Sequence, residues 1–226
     1  MILEIAVFDF ASAEIAVAAG ADRIELCADY ASGGVTVSND VLQKIKQNIS
    51  IPVFPIIRPR GGDFVYSTEE FETMKQAILL CKKLNYEGVV LGILKDDNTV
   101  NVVRTKELVS LAYPMQVTFH RAFDACLDPF IALEEIINCG CKRILTSGQK
   151  PSALEGIDLL SQLVSKANNS ICIMPGGRVR AGNIQQLIAT GASEFHSAAL
   201  TQQQTVLSLD ISEIKALKRA LENVYI

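Results

Sequence analysis

Short apolar runs rich in β-branched residues alternate along the whole chain with segments whose apolar positions recur every three or four residues. The runs "LEIAV" (3–7), "RIELC" (23–27), "PVFPIIR" (52–58), "GVVLGIL" (88–94), "QVTFHR" (116–121), "RILTS" (143–147), "SICIMPG" (170–176) and "EFHSA" (194–198) predict eight strands. The segments between them predict helices with legible ends. Ser67 and Glu70 form a capping-box signature before "FETMKQAILLCKKL". Asp128 and Pro129 read as N-cap and first helical residue before "FIALEEII". In "AAGADRIEL" (18–26), "NCGCKRILT" (138–146) and "ATGASEFHS" (189–197), a helix end, a glycine suited to the left-handed C-cap and a strand follow in order.

Repeated βα units with eight strands predict an α/β fold, a TIM-like (β/α)8 barrel forming a single domain over 1–226. Its site belongs at the C-terminal ends of the strands. An open, doubly wound sheet is the other arrangement of such units, but no G-x-G-x-x-G follows the first strand. Two stretches depart from the repeat: a longer loop over 28–37 with Gly33 and Gly34, and a polar segment, "TQQQTVLSLD" (201–210), before the last helix.

In a barrel, alternate strand residues point inward. With Leu3, Ile5 and Val7 facing the helices, Glu4 and Ala6 face inward. The same parity turns Glu25, Cys27, Arg58, Arg60, Thr118, His120, Cys172, Met174, Gly176, Glu194 and His196 inward. Both histidines of the chain and two arginines thus fall on interior faces, mostly near strand C-termini. An unpaired charge in a core costs several kcal/mol, so these groups must neutralise one another or serve a ligand.

The residue types suggest roles. Arg58 and Arg60 offer forked donors for a carboxylate or phosphate, and Gly61 and Gly62 allow backbone amides to approach an anion. Gly176 and Gly177, after strand seven, occupy a position where many barrels bind phosphate, although a plain tight turn explains them equally well. Glu25, His120 and His196 are acid–base candidates, placed with Arg58 in the catalytic set. Glu4, Asp63, Arg121, Asp124 and Ser147 complete the ligand-binding set. No inward lysine suits Schiff-base chemistry.

Apolar residues make up 49% of the chain and charged residues 20%, enough for a sizeable core; the net charge of −4 and the lack of a basic patch argue against nucleic acid. No apolar run approaches the ~18 residues of a membrane span, so a soluble, cytoplasmic protein without a membrane partner is expected. The six cysteines form no C-x-x-C pair and read as reduced thiols. Of the soft atoms, only Cys27 lies near the expected rim. Cys139-x-Cys141 has metal-like spacing but feeds strand six from the opposite end.

"GADRIELCADYASGGVTVS", "PVFPIIRPRGGDFVYS", "VTFHRAFD" and "RILTSGQKPSALEG" closely resemble the copper homeostasis protein CutC family, over about residues 2–200. The resemblance implies a TIM-like barrel, a cytoplasmic location and self-association as a dimer or tetramer. It also implies copper handling through Cu(I) bound by cysteine thiolate, with Cys27 of "ELC" matching the family cysteine. No second family ligand maps onto the other cysteines. No organic cofactor is expected. The residues themselves favour the alternative, an enzyme acting on a small anionic metabolite by acid–base chemistry, because two inward arginines repel a cationic ligand.

Overall fold

The computed structural model describes residues 1–203 and 206–223. All eight runs form strands: β1 (Ile2–Val7), β2 (Arg23–Leu26), β3 (Val53–Pro55), β4 (Gly88–Leu91), β5 (Gln116–Phe119), β6 (Arg143–Thr146), β7 (Cys172–Pro175) and β8 (Glu194–Ser197). Helices follow them in turn: α1 (Phe10–Ala19), α2 (Asn39–Asn48), α3 (Thr68–Lys83), α4 (Val102–Ala112), α5 (Pro129–Cys139), α6 (Ile157–Ala167), α7 (Ile184–Ile188) and α8 (Ile211–Glu222). The caps are the ones expected, except at α7, whose C-cap is right-handed Ala189 rather than the glycine two residues on. Ser67 and Glu70 exchange both capping-box bonds at α3, and Asp128 accepts from Phe130 and Ile131 amides ahead of Pro129. Gly20, Gly140 and Gly191 all adopt left-handed φ, between 85° and 99°.

The strands pair in parallel as two four-stranded sheets, β3-β2-β1-β8 and β4-β5-β6-β7. Neighbours in sequence are neighbours in space, and β8 returns to β1. That order is the barrel's, not the doubly wound sheet's. One seam is closed by a single parallel bridge, Ile56 with Val90, where the Ile57 amide donates to the Val90 carbonyl at 2.7 Å. Across the other, β7 and β8 form no ladder among the described residues. There Gly176 keeps the backbones close: a Cβ on it would lie 3.3 Å from the His196 Cβ.

The main apolar core lies between the sheets and the helices, where Leu3, Ile5, Val7, Ile24 and Leu26 are fully buried. Inside the barrel the apolar cluster is small, consisting of Cys27, Phe54, Ile56 and Val90, with Phe8 packed against it. Charged side chains fill much of the rest, with Thr118, Leu145 and Met174 interspersed. No helix among the described residues is long and apolar enough to cross a membrane.

Two sequence expectations change. The segment 201–210 contains an antiparallel hairpin, β9 (Leu200–Gln203) with β10 (Val206–Leu209), in which Thr201 pairs with Ser208 and Leu200 with Leu209. The stretch reads as polar taken as a whole, yet β10 is "VLSL", three apolar residues of four. Gln204 and Thr205 of that segment, and residues 224–226 of the 1–226 domain, lie outside the described residues. The third strand's regular ladder also ends earlier than "PVFPIIR" suggests, at Pro55, although the Ile56 amide still donates to the Leu26 carbonyl at 3.0 Å.

Candidate active site at the barrel mouth

A column of ionic contacts rises through the barrel. At its base the Arg143 guanidinium donates to Gln116 Oε1 and to Glu194 Oε2, both at 2.9 Å. Arg23 donates to the same Glu194 oxygen at 2.5 Å, to Met174 Sδ at 3.2 Å and to Glu4. The other oxygen of Glu4, a fully buried side chain, accepts from His196 Nδ1 at 2.8 Å. His196 Nε2 then faces Glu25 Oε2 at 3.6 Å, an ionic contact too long for a hydrogen bond. Each charge has an opposite neighbour, which is what permits so many in a core.

Environment then separates the two carboxyls. Burial alone would raise the Glu4 pKa, but Arg23 and the His196 bond outweigh it and hold it at about 2. Burial pushes Glu25 above its ordinary value, past the opposing pull of His196, and the Glu4 charge adds to the push. Burial also works against a charged His196, yet Glu25 and Glu4 prevail and keep its pKa raised.

Above Glu25 opens a cavity of about 540 Å³, whose wall includes Glu25, Cys27, Arg58, His120, Arg121, Gly177, Arg178 and His196. Arg58 lies past the end of β3 but is turned inward and buried. It donates to the carbonyls of Ser32 (2.8 Å), Gly34 (3.0 Å) and Gly62 (2.8 Å), and its Nε has no partner. Its guanidinium sits 4.9 Å over the Phe64 ring, whose centroid is in turn 5.0 Å from that of His120.

His120 follows β5. The Ala122 amide donates to its Nδ1 at 3.1 Å, which places the ring proton on Nε2, and that atom is buried without a partner. Burial, with the Arg58 charge adding, lowers its pKa from 6.5 to about 3, so the ring is neutral. Glycine at position 92 makes room for it: a Cβ there would stand 2.6 Å from His120 Cε1 and Nδ1.

Arg121 is exposed at the rim, aimed by Asp124 (2.7 Å from Nε) and Ser147 Oγ (2.9 Å from Nη2). Asp124 is itself fixed by the Ser147 amide at 3.0 Å. Gly177, with φ 98°, packs on Ser147, where a Cβ would come within 3.1 Å of the serine Cβ, and lies beside the Arg121 guanidinium. Arg178 also has a left-handed backbone (φ 57°), and only its carbonyl is engaged, by Asn183 Nδ2 at 2.9 Å.

Other candidates fall outside the cavity wall. Arg60, expected to point inward, turns outward to Glu70 (2.7 Å) and Asp63 (2.9 Å), because the chain bends off the strand direction from Pro59 onward, past the last barrel contacts of Ile56 and Ile57. Gly62 presents a carbonyl to Arg58 instead of an amide to an anion. Gly61 packs on Ser32, where a Cβ would come within 2.9 Å of the serine Cβ. Gly176, Glu4, Asp124 and Ser147 stand behind the wall as supports. Cys27, 2% exposed, is the one cysteine on the wall, and burial, with Glu25 beside it, pushes its thiol well above its ordinary value. Sequence reasoning missed Arg23, Arg143 and Arg178. The first two follow from the parity that found Glu25; Arg178, on a left-handed turn, leaves no periodic signal.

The family model that matches, the CutC family, covers residues 1–201. The chain belongs to the CutC family. A CutC protein of Chromobacterium violaceum is 47% identical over 202 residues, covering 89% of this chain and 82% of its own length. The human "copper homeostasis protein cutC homolog" is 42% identical over 214 residues, covering 94% and 78% respectively. The crystal structure of a CutC protein from Streptococcus agalactiae superposes with a TM-score of 0.83 at 32% identity, covering 88% of this chain and 98% of that one. The TIM-like barrel expected from the strands is therefore the fold of this family.

Proposed function

We propose that the barrel mouth binds a small metabolite bearing a phosphate or carboxylate and carries out acid–base chemistry on it. One observation carries this reading: three arginines, two histidines and a single carboxylate share the wall of one cavity. Arg121 and Arg178, exposed at the rim, supply forked donors for the anionic group. Glu25 and His196, coupled at 3.6 Å, are the pair whose protonation the site adjusts. The barrel supports the same placement, since such folds keep their sites at this face.

Copper is the second reading, and the name carried by the human relative favours it. The donor set here does not fit a preformed Cu(I) centre. Cys27 is the one thiol on the wall, its proton is held tightly, and Met174 already accepts from Arg23. A Cu(I) ion would have to displace that proton beside the Arg58 guanidinium.

Calorimetry with inorganic phosphate and competition with a Cu(I) chelator separate the two. The anion reading expects Arg121→Ala and Arg178→Ala to weaken phosphate binding about tenfold each, as loss of a charge-assisted hydrogen bond does. Tight Cu(I) binding that disappears in Cys27→Ser, with no phosphate binding, would replace it by the copper reading.

A further inference from the structure

Resting on the anion reading above, we infer that the cavity is built for reversible enolisation. The reaction would remove a proton from the carbon next to a carbonyl in an anionic substrate, with Glu25 as base and the His120 Nε2–H as donor to the enolate oxygen.

The geometry places the two groups where such a step needs them. Glu25 lies on β2 and His120 follows β5, so they face one cavity from the two different sheets. His120 has the attributes of a hydrogen-bond electrophile, not of a proton carrier. Its Nδ1 is occupied by the Ala122 amide, its proton is therefore on Nε2, and that N–H is buried with nothing to bond. An unmet buried donor costs about 1–3 kcal/mol, a penalty relieved when a substrate oxygen arrives. A neutral imidazole can stabilise a developing oxyanion and keep its proton, because giving it up would leave a strongly basic imidazolate. Glu25 is the only carboxylate on the wall, and its affinity for a proton is raised towards the working range of a base. Glu4 takes part as a positioning residue, fixing His196 beneath Glu25.

The step balances without a further reactant. The Glu25 carboxylate takes the carbon-bound proton, and the C–H electron pair forms a carbon–carbon double bond. The carbonyl pair moves onto oxygen, which accepts from His120 Nε2–H. Return of the proton from the Glu25 carboxyl reverses the path. Nucleophilic chemistry has less support on this wall: it bears no lysine, and its thiol is held protonated.

The test uses the full chain with ¹⁵N-labelled histidine, which reports on just two imidazoles, and two probes, inorganic phosphate and dihydroxyacetone phosphate. His120 is expected to stay a neutral Nε2–H tautomer from about pH 5 to 8. Dihydroxyacetone phosphate should shift that proton downfield and exchange its hydroxymethyl hydrogens in heavy water, with exchange abolished by Glu25→Gln. His120→Ala should slow exchange about 10–100-fold, the value of one hydrogen bond to a charged oxygen, with phosphate affinity unchanged. A His120 that gains a proton within that range overturns the inference. So does dihydroxyacetone phosphate that displaces phosphate yet neither moves the Nε2 proton nor exchanges; in both cases the anion reading stands. Failure of both probes to bind removes the anion reading itself.

Discussion

Acid should destabilise this protein through His120, by an amount the structure sets. The imidazole is 4% exposed, bonded only at Nδ1, and holds a pKa of about 3 against 6.5 in the open chain. Between those values the unfolded chain binds a proton that the folded chain refuses, so stability is complete above pH 6.5 and falls as the pH drops towards 3. At pH 4 the unfolded imidazole is protonated about three hundredfold over its neutral form, while the folded one is still mostly neutral. The difference is about 3 kcal/mol. His120→Gln has no such group. Urea unfolding of both proteins at pH 7 and pH 4 isolates the effect, because the other titrating groups are common to both. The wild type should lose about 3 kcal/mol more than the variant between the two pH values. Equal losses would mean that folded His120 accepts a proton, and the burial argument for its neutrality would be wrong.

Three further outcomes follow from the contacts. Glu4→Gln strips the counter-charge from Arg23 and His196 and should cost about 3–5 kcal/mol in urea unfolding at pH 7. Because Glu4 is held at about 2, its contribution is present above 4.5 and lost as the pH falls through 2, so the variant should also lack that part of the acid slope. Gly176→Ala would put a Cβ 2.3 Å from Leu145 Cδ1 and should cost about 1–3 kcal/mol, partly recovered in combination with Leu145→Ala; additive losses would show that the two do not clash. Arg143→Ala removes a link between β6 and β8, and amide exchange should quicken in those strands while α2 and α3 keep their protection. Uniform quickening would deny the link a local role.

Much of the fold is legible because its signals are local. Ser67 and Glu70 announce α3, Gly140 ends α5, and each apolar run fixes a strand to within a few residues. Parity then carries Glu4, Glu25 and His196 to the barrel axis correctly, since all three lie within or beside paired strands. It fails for Arg60, five residues past Pro55, where ladder pairing no longer imposes a direction and Glu70 captures the guanidinium. The hairpin β9–β10 escapes for a different reason: its two strands are four residues each, too short for an alternation to stand out. His120 was legible as an interior histidine, but its neutrality depends on the Ala122 amide and on Arg58, neither of which spacing alone can place beside it.

The open seam between β7 and β8 gives the internal ion pairs a meaning beyond neutralisation. Glu25 belongs to the half-barrel β3-β2-β1-β8 and His120 follows the other half, so the gap between them is set by how the halves sit together. Backbone pairing fixes that at one seam through a single bridge. Elsewhere the task falls to side chains that cross between halves: Arg143 to Glu194, and Arg23 to Met174. Oil-like contacts there would tolerate sliding, whereas guanidinium forks accept only a few angles and distances. The foot of the barrel therefore acts as an alignment key for its mouth, and substitutions far from any ligand can retune the spacing across which a proton would travel.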